Sequence, residues 1–201
     1  MNYMNKEYGA HEIMEMHEVL TDTINGINQF ELYRPHVKDS QLGSILDNQI
    51  QFMIKEYNNM VQAMNQRGMN QRLPYNNQMN SNPKYGLRNP QPESPNTSIN
   101  QLNDRDIASG MLSCHKSSAI MRTIGALECA DPQLRKMVQQ GSMNCMDQAY
   151  EVWQFMNERG FYQVPTLKDT TTDTMVHSYT PANMNNNMNM QLQPQAQPTM
   201  Q

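Results

Sequence analysis

The sequence predicts an all-α fold, a four-helix bundle made of two antiparallel helical hairpins. Three observations carry this. Four segments repeat apolar residues three and four positions apart, the spacing that lines one face of a helix. Each segment is bounded by residues that cap or break helices. A polar, proline-containing stretch divides the four segments into two pairs.

The first segment runs from about His11 to Tyr33, with the stripe Ile13, Met16, Leu20, Ile24, Ile27 and Phe30. Gly26 weakens this helix by roughly 1 kcal/mol relative to alanine. Arg34-Pro35 ends it, because the residue before proline is pushed out of helical conformation. Asp39 or Ser40 caps the second segment, whose stripe is Leu42, Leu46, Ile50, Met53, Tyr57, Met60 and Met64. The turn between the two is short, which makes them antiparallel neighbours.

The third segment starts where the side chain of Asn103 or Asp104 can accept a free first-turn amide. Asp131-Pro132 then restarts the chain, with aspartate as the cap and proline where the amide has no helical partner. The fourth stripe is Leu134, Val138, Gly141, Cys145, Val152 and Met156. It stops at Gly160, a glycine able to take the left-handed conformation of a helix C-cap. Phe161 or Tyr162 is expected to fold back near Phe155 or Met156. Gly141→Ala, inside the helix, is expected to do less harm than Gly160→Val, or to stabilise where the packing accepts a methyl group.

The organisation that follows is an N-terminal hairpin over 9–64, a flexible linker over 65–100, a C-terminal hairpin over 101–165, and a strap with a low-complexity tail over 166–201. The Asn, Gln, Pro and Ser of the linker bury too little apolar surface to offset the entropy of ordering. A coil of that length spans on the order of 30 Å, and a helix of about 23 residues is roughly 35 Å long. The linker can therefore join adjacent ends or cross over the whole bundle. From Phe161 to about Asn183 the chain reads as an extended strap, and 183–201 as disordered.

With 201 residues and a formal net charge of −4, the chain has room for one domain or two small ones and carries no basic stripe. Nucleic acid is not an expected partner. The glycines are scattered, without a phosphate-binding loop, and the aromatics are not interleaved with basic residues. The opening MNYMNKEYGAHE holds no apolar run, so neither a signal peptide nor a membrane span is expected, and synthesis is expected in the cytoplasm. Methionine is over-used, 20 against 12 leucines, and packs adaptably in cores and on assembly surfaces. The three cysteines lack C-x-x-C spacing, which argues against a zinc knuckle or a disulfide framework.

The C-terminal hairpin carries a resemblance. NDRDIASGML opening one helix, ECADPQLR at the bend and QAYEVWQFMNERGFYQVP at the close resemble the spore coat protein F family of endospore-forming bacteria. The matching residues are Asp104, Asp106, Met111, Leu112, Lys116, Glu128, Pro132, Leu134, Arg135, Tyr150, Met156, Gly160 and Tyr162. The resemblance covers this hairpin well, the N-terminal hairpin from about Gly9 to Met64 less specifically, and neither the linker nor the tail. It implies a ferritin-like bundle and a structural, non-enzymatic component of the spore coat. It further implies other coat proteins as partners and is compatible with a homo-oligomer.

A ferritin-like bundle raises the question of a di-metal site, which takes a carboxylate from each of two helices and Glu-x-x-His from each of the others. No Glu-x-x-His occurs here. His17 and Glu56 fall roughly level in the first hairpin, and a hydrogen bond between them, or an ordinary buried histidine, is expected rather than a metal site. Glu31 and His115 also lie on or near apolar stripes. On the fourth helix Asp147, Glu151 and Glu158 are expected to face solvent, which leaves that helix without ligands. The alternative function, a metal-binding or redox bundle with a degenerate di-metal site, is therefore disfavoured. A weaker third reading is an adaptor that takes a partner helix in a Met-rich groove.

Nucleophilic chemistry needs a base beside a thiol or hydroxyl. Cys114 and His115 are chain neighbours whose side chains diverge on a helix. Cys145 and His115 could approach across the hairpin, but a core cysteine usually behaves as a small hydrophobe. Cys114 and Cys145 lie about level. Packed helix axes about 8–10 Å apart do not favour a bridge that wants Cα atoms within about 7 Å. The expectation is thus no catalytic, cofactor-binding or metal-binding residues and no cofactor.

Overall fold

A computed structural model describes residues 8–65 and 72–182. Four long helices form the bundle: α1 (Ala10–Tyr33), α2 (Ser40–Met64), α3 (Asp104–Glu128) and α4 (Pro132–Arg159). A short helix, α5 (Asp169–Val176), lies in the second of two compact units, which begins at Pro165. The sequence reading had this stretch extended. Its turn is closed locally, with Thr174 Oγ1 donating to the Thr170 carbonyl. The expected disorder of 183–201 lies outside the described residues.

The caps explain why each helix begins where it does. Asp39 accepts from the Gln41 and Leu42 amides, Asn103 from those of Arg105 and Asp106, and Asp131 from those of Gln133 and Leu134. Each satisfies donors that the first helical turn leaves unpaired. Glu12 works at both hairpins at once. One carboxylate oxygen accepts from the Gly9 amide at 2.7 Å, the other from the Asp131 amide at 3.0 Å. It thereby joins the start of α1 to the bend between α3 and α4.

Contacts between helices give the topology. Thr23 meets Arg122, a Cβ at Gly26 would touch Cys114, and Gly110 lies against Tyr33, so α3 runs antiparallel to α1. Glu56 meets Asn144 and Asp39 meets Arg159, so α4 runs antiparallel to α2. Consequently α2 and α3 point the same way, and the segment joining them must travel the full length of the bundle. The choice that the linker's length left open is settled as a crossover.

That crossover is ordered over its described part, and α4 orders it. Along one face of α4, Asn144, Glu151, Gln154 and Asn157 present side-chain amides and a carboxylate to passing backbone. Asn144 bonds the Leu73 carbonyl and the Tyr75 amide, Glu151 accepts from the Gln78 amide, and Gln154 donates to the Ser81 carbonyl. Asn157 pairs both amide and carbonyl of Lys84, at 2.7 and 3.0 Å. On the α2 side, Asn48 bonds Gln78, and Phe52 packs edge-on against Tyr75 with ring centroids 5.0 Å apart. Polar residues thus fix the segment mainly through its own backbone, with Tyr75 and Met79 as its apolar anchors.

The apolar core divides into two clusters, one around Phe30, Leu46, Ile107 and Phe155 and the other around Met16, Met60, Leu134 and Val138. The α2 and α4 stripes point inward as expected. The α1 stripe is rotated: Met16, Val19, Thr23, Gly26 and Phe30 are buried, while Ile13 and Ile24 are exposed. The inward row of α1 contains a threonine and a glycine because polar chemistry occupies the middle of the bundle.

Candidate functional site

Between the two apolar clusters all four helices turn polar side chains inward. Arg122 of α3 is the centre. Its side chain is 3% exposed, and its guanidinium donates to Thr23 Oγ1 at 2.8 Å, to Glu56 Oε2 at 3.4 Å and to Asp22 Oδ2 at 3.5 Å. Asp22 also accepts from Ser118 Oγ at 2.6 Å, and Glu56 from Asn144 Nδ2 at 2.6 Å. A buried cation is thereby matched to two carboxylates, the pairing that burial of charge demands. Burial pushes the Glu56 carboxyl above its usual range, against the pull of Arg122 and of the Asn144 amide. Arg122 itself is held charged: burial opposes the cation, and the surrounding thiol and carboxyl groups more than offset it.

Toward the α1–α2 turn a second chain follows. The Gln49 amide accepts from His115 Nε2 at 2.8 Å and donates to Glu151 Oε2 at 2.9 Å. Tyr75 of the crossover donates to the same Glu151 oxygen. Because Gln49 spends its NH₂ on Glu151 and on the Gln148 carbonyl, its oxygen faces the histidine, and Nε2 must carry the proton. Burial, with Arg122 adding to it, pushes the His115 pKa down to about 3. This histidine is neutral, and its ring stands edge-on to Phe30 at 5.2 Å. Burial and the Glu151 carboxylate raise the Tyr75 phenol well above its usual range.

Two residue expectations are corrected here. Glu151 does not face solvent; it is 1% exposed, because the crossover covers the second face of α4. Asp147 is exposed and Glu158 half-buried. Glu56 does not bond His17, which is exposed; its partners are Arg122 and Asn144 on the opposite hairpin. Glu31 is likewise exposed, beside Arg34. Arg122, Asp22, Gln49, Asn144 and Tyr75 were not singled out from sequence. Arg122 was the readable one, an arginine four residues from Ser118 and three from Ala119 on the buried face of α3.

The chemistry available to this interior is limited. Among the described residues no group of three or more His, Cys, Asp and Glu is arranged to hold a metal ion. At the middle of the bundle the carboxylates surround a fixed guanidinium, which repels a second cation. A resident di-metal centre does not fit this donor set. The three cysteines are free thiols. Burial pushes Cys145 up to about 12 and Cys129 up to about 11, and raises Cys114 as well. None is a ready thiolate. Gly141 packs against the network, where an added Cβ would lie 3.1 Å from Arg122 Cδ and Nε. An alanine here requires Arg122, pinned by its carboxylates, to give by a few tenths of an ångström, which works against the expected tolerance to a methyl group.

At the end of α4, Gly160 takes φ 78°, and the Phe161 and Tyr162 amides return to the Met156 carbonyl at 2.8 and 3.1 Å. Phe161 folds back onto Phe155, ring centroids 6.2 Å apart. The Gly86 amide then bonds the Val164 carbonyl at 2.8 Å, which ties the end of the hairpin to the crossover.

Comparison with known proteins places this architecture. Residues 103–165 match the Coat F domain family. The spore coat protein F-like protein YhcQ of Bacillus subtilis is 31% identical over 176 residues, which is 87% of this chain and 81% of that relative. The chain belongs to the spore coat protein F-like family. The match spans both hairpins and the crossover, so the family relation extends well beyond the Coat F segment. A crystal structure of a candidate spore coat protein from Bacillus halodurans superposes with a TM-score of 0.60 at 16% identity, covering 84% of this chain and 99% of that one. At that identity the likeness speaks for the fold alone. No helix among the described residues is long and apolar enough to cross a membrane.

Proposed function

We propose that this chain is a structural, non-enzymatic component of the bacterial endospore coat that assembles there with other coat proteins. The observation that carries the proposal is the 31% identity, over most of both chains, to a spore coat protein F-like protein. The interior supports it. Most of its buried polar groups are turned toward one another around Arg122 and Glu151, with the Gln148 side-chain amide and Arg122 Nε left over. The pocket beside Glu56 and Asn144 holds only about 10 Å³, far below the size of a substrate site, and a protein built this way does its work at its surface, through contacts with neighbours.

The test is fractionation of sporulating cultures with an antibody to the protein. It should appear during sporulation and be recovered in detergent and alkaline extracts of purified spore coats. Presence in vegetative cells with absence from coat extracts would remove the assignment.

A further inference from the structure

One face of the bundle is apolar and faces outward. On α3, Ile120, Ile124 and Leu127 are 64%, 51% and 70% exposed, and on α4, Met143, Met146 and Tyr150 are 56%, 54% and 47% exposed. Taking roughly 200 Å² per side chain, these six present on the order of 650 Å² of surface. That exceeds the range of about 300–600 Å² for the largest patch of an ordinary monomer and approaches the roughly 800 Å² per partner of a stable interface.

The face has a shape suited to its own copy. Ile120 is a ridge with a groove on either side. One groove, of about 480 Å³, lies between α3 and α4, and the other, of about 430 Å³, lies between α1 and α3; Ile120 lines both. A ridge flanked by grooves is what a second identical ridge packs into. The rims carry opposite charge. Glu15 and Glu18 border the α1 side, while Lys116 borders the α4 side with its ammonium 5.4 Å from the Tyr162 ring centroid.

We propose that this face is a self-association surface, and that two copies of the chain meet there about a two-fold axis. The Ile120 ridge of each copy enters a groove of the other, which buries the apolar side chains of α3 and α4 against their counterparts. Closed two-fold pairing is the commonest form of self-assembly.

The experiment uses purified full-length protein and so is independent of the coat assignment: either can fail while the other stands. Sedimentation velocity at tens of micromolar should give the dimer mass for the wild type. Ile120→Glu should give a monomer with unchanged helicity, melting lower than the wild-type dimer and without dependence on protein concentration; an Ile120→Glu protein that still sediments as a dimer places the interface elsewhere and overturns the proposal. A monomeric wild type overturns the proposal and leaves the face to another coat protein or to the C-terminal segment of the chain itself.

Discussion

Arg122 and Glu56 meet across the diagonal of the bundle, Nη2 to Oε2 at 3.4 Å, with 3% and 6% of their side chains exposed. They belong to different hairpins, so this pair and its neighbours Asp22 and Asn144 bind the two halves where no apolar packing does. Removing one partner of a buried pair leaves an uncompensated charge. Arg122→Leu is expected to cost about 3–5 kcal/mol. Because much of that cost is the orphaned carboxylate, Arg122→Leu combined with Glu56→Leu should cost less than the sum of the single changes, by about 1–3 kcal/mol. Urea unfolding of the four proteins measures the difference. Additive costs would mean the two residues act separately.

His115 makes stability depend on pH in a definite direction. Its pKa is down at about 3 in the fold against the ordinary value of 6.5, so the unfolded chain binds a proton that the folded one does not. This contribution is complete above about pH 6.5 and is lost as pH falls toward 3, at about 1.4 kcal/mol per pH unit inside that window. The melting temperature should fall from pH 6.5 to 4 more steeply in wild type than in His115→Gln. Parallel curves would show that His115 is not the group responsible.

Gly141 of α4 and Gly160 at its C-cap should resist substitution for different reasons. Gly160 has φ 78° and open space, the nearest atom to an added Cβ being Arg88 Nη2 at 3.9 Å. Gly160→Val therefore suffers from backbone conformation alone, about 1–3 kcal/mol. It should lower the melting temperature and speed proteolysis after Arg159. Gly141→Ala has an allowed backbone but collides with a pinned Arg122, and it too should destabilise. A Gly141→Ala protein as stable as wild type would show that the arginine moves aside.

The crossover is held by hydrogen bonds to its backbone, and these can be cut singly. Asn157→Ala removes both bonds to Lys84, and Tyr75→Phe removes the phenol from Glu151. Within the crossover, limited proteolysis of wild type should cut 89–98 first, where every residue is exposed, and the variants should open 72–88 as well. Early cutting of wild-type 72–88 would contradict the packed crossover.

The helices were legible in the sequence because caps, breaks and apolar spacing agree at each boundary. Asp39, Asn103, Asp131 and Gly160 sit where capping chemistry put them. The α1 face and the role of Glu151 were not legible, for one shared reason. Hydrophobic periodicity finds faces buried in oil, and here two inward faces are buried against polar groups. Thr23 is inside because Arg122 needs an acceptor, and Glu151 is inside because a polar segment from elsewhere in the chain covers it. Nothing local to either residue records that partner. Family resemblance was legible at the Coat F hairpin, where the motif residues are also the capping and bend residues.

Metal dependence tests the central claim, that Arg122 and its carboxylates complete the interior without a metal. Purified protein should be assayed for iron and manganese by elemental analysis and melted with and without excess chelator. The account predicts far less than one ion per chain and the same melting temperature in both conditions. About two ions per chain, released with a clear drop in melting temperature, would contradict it.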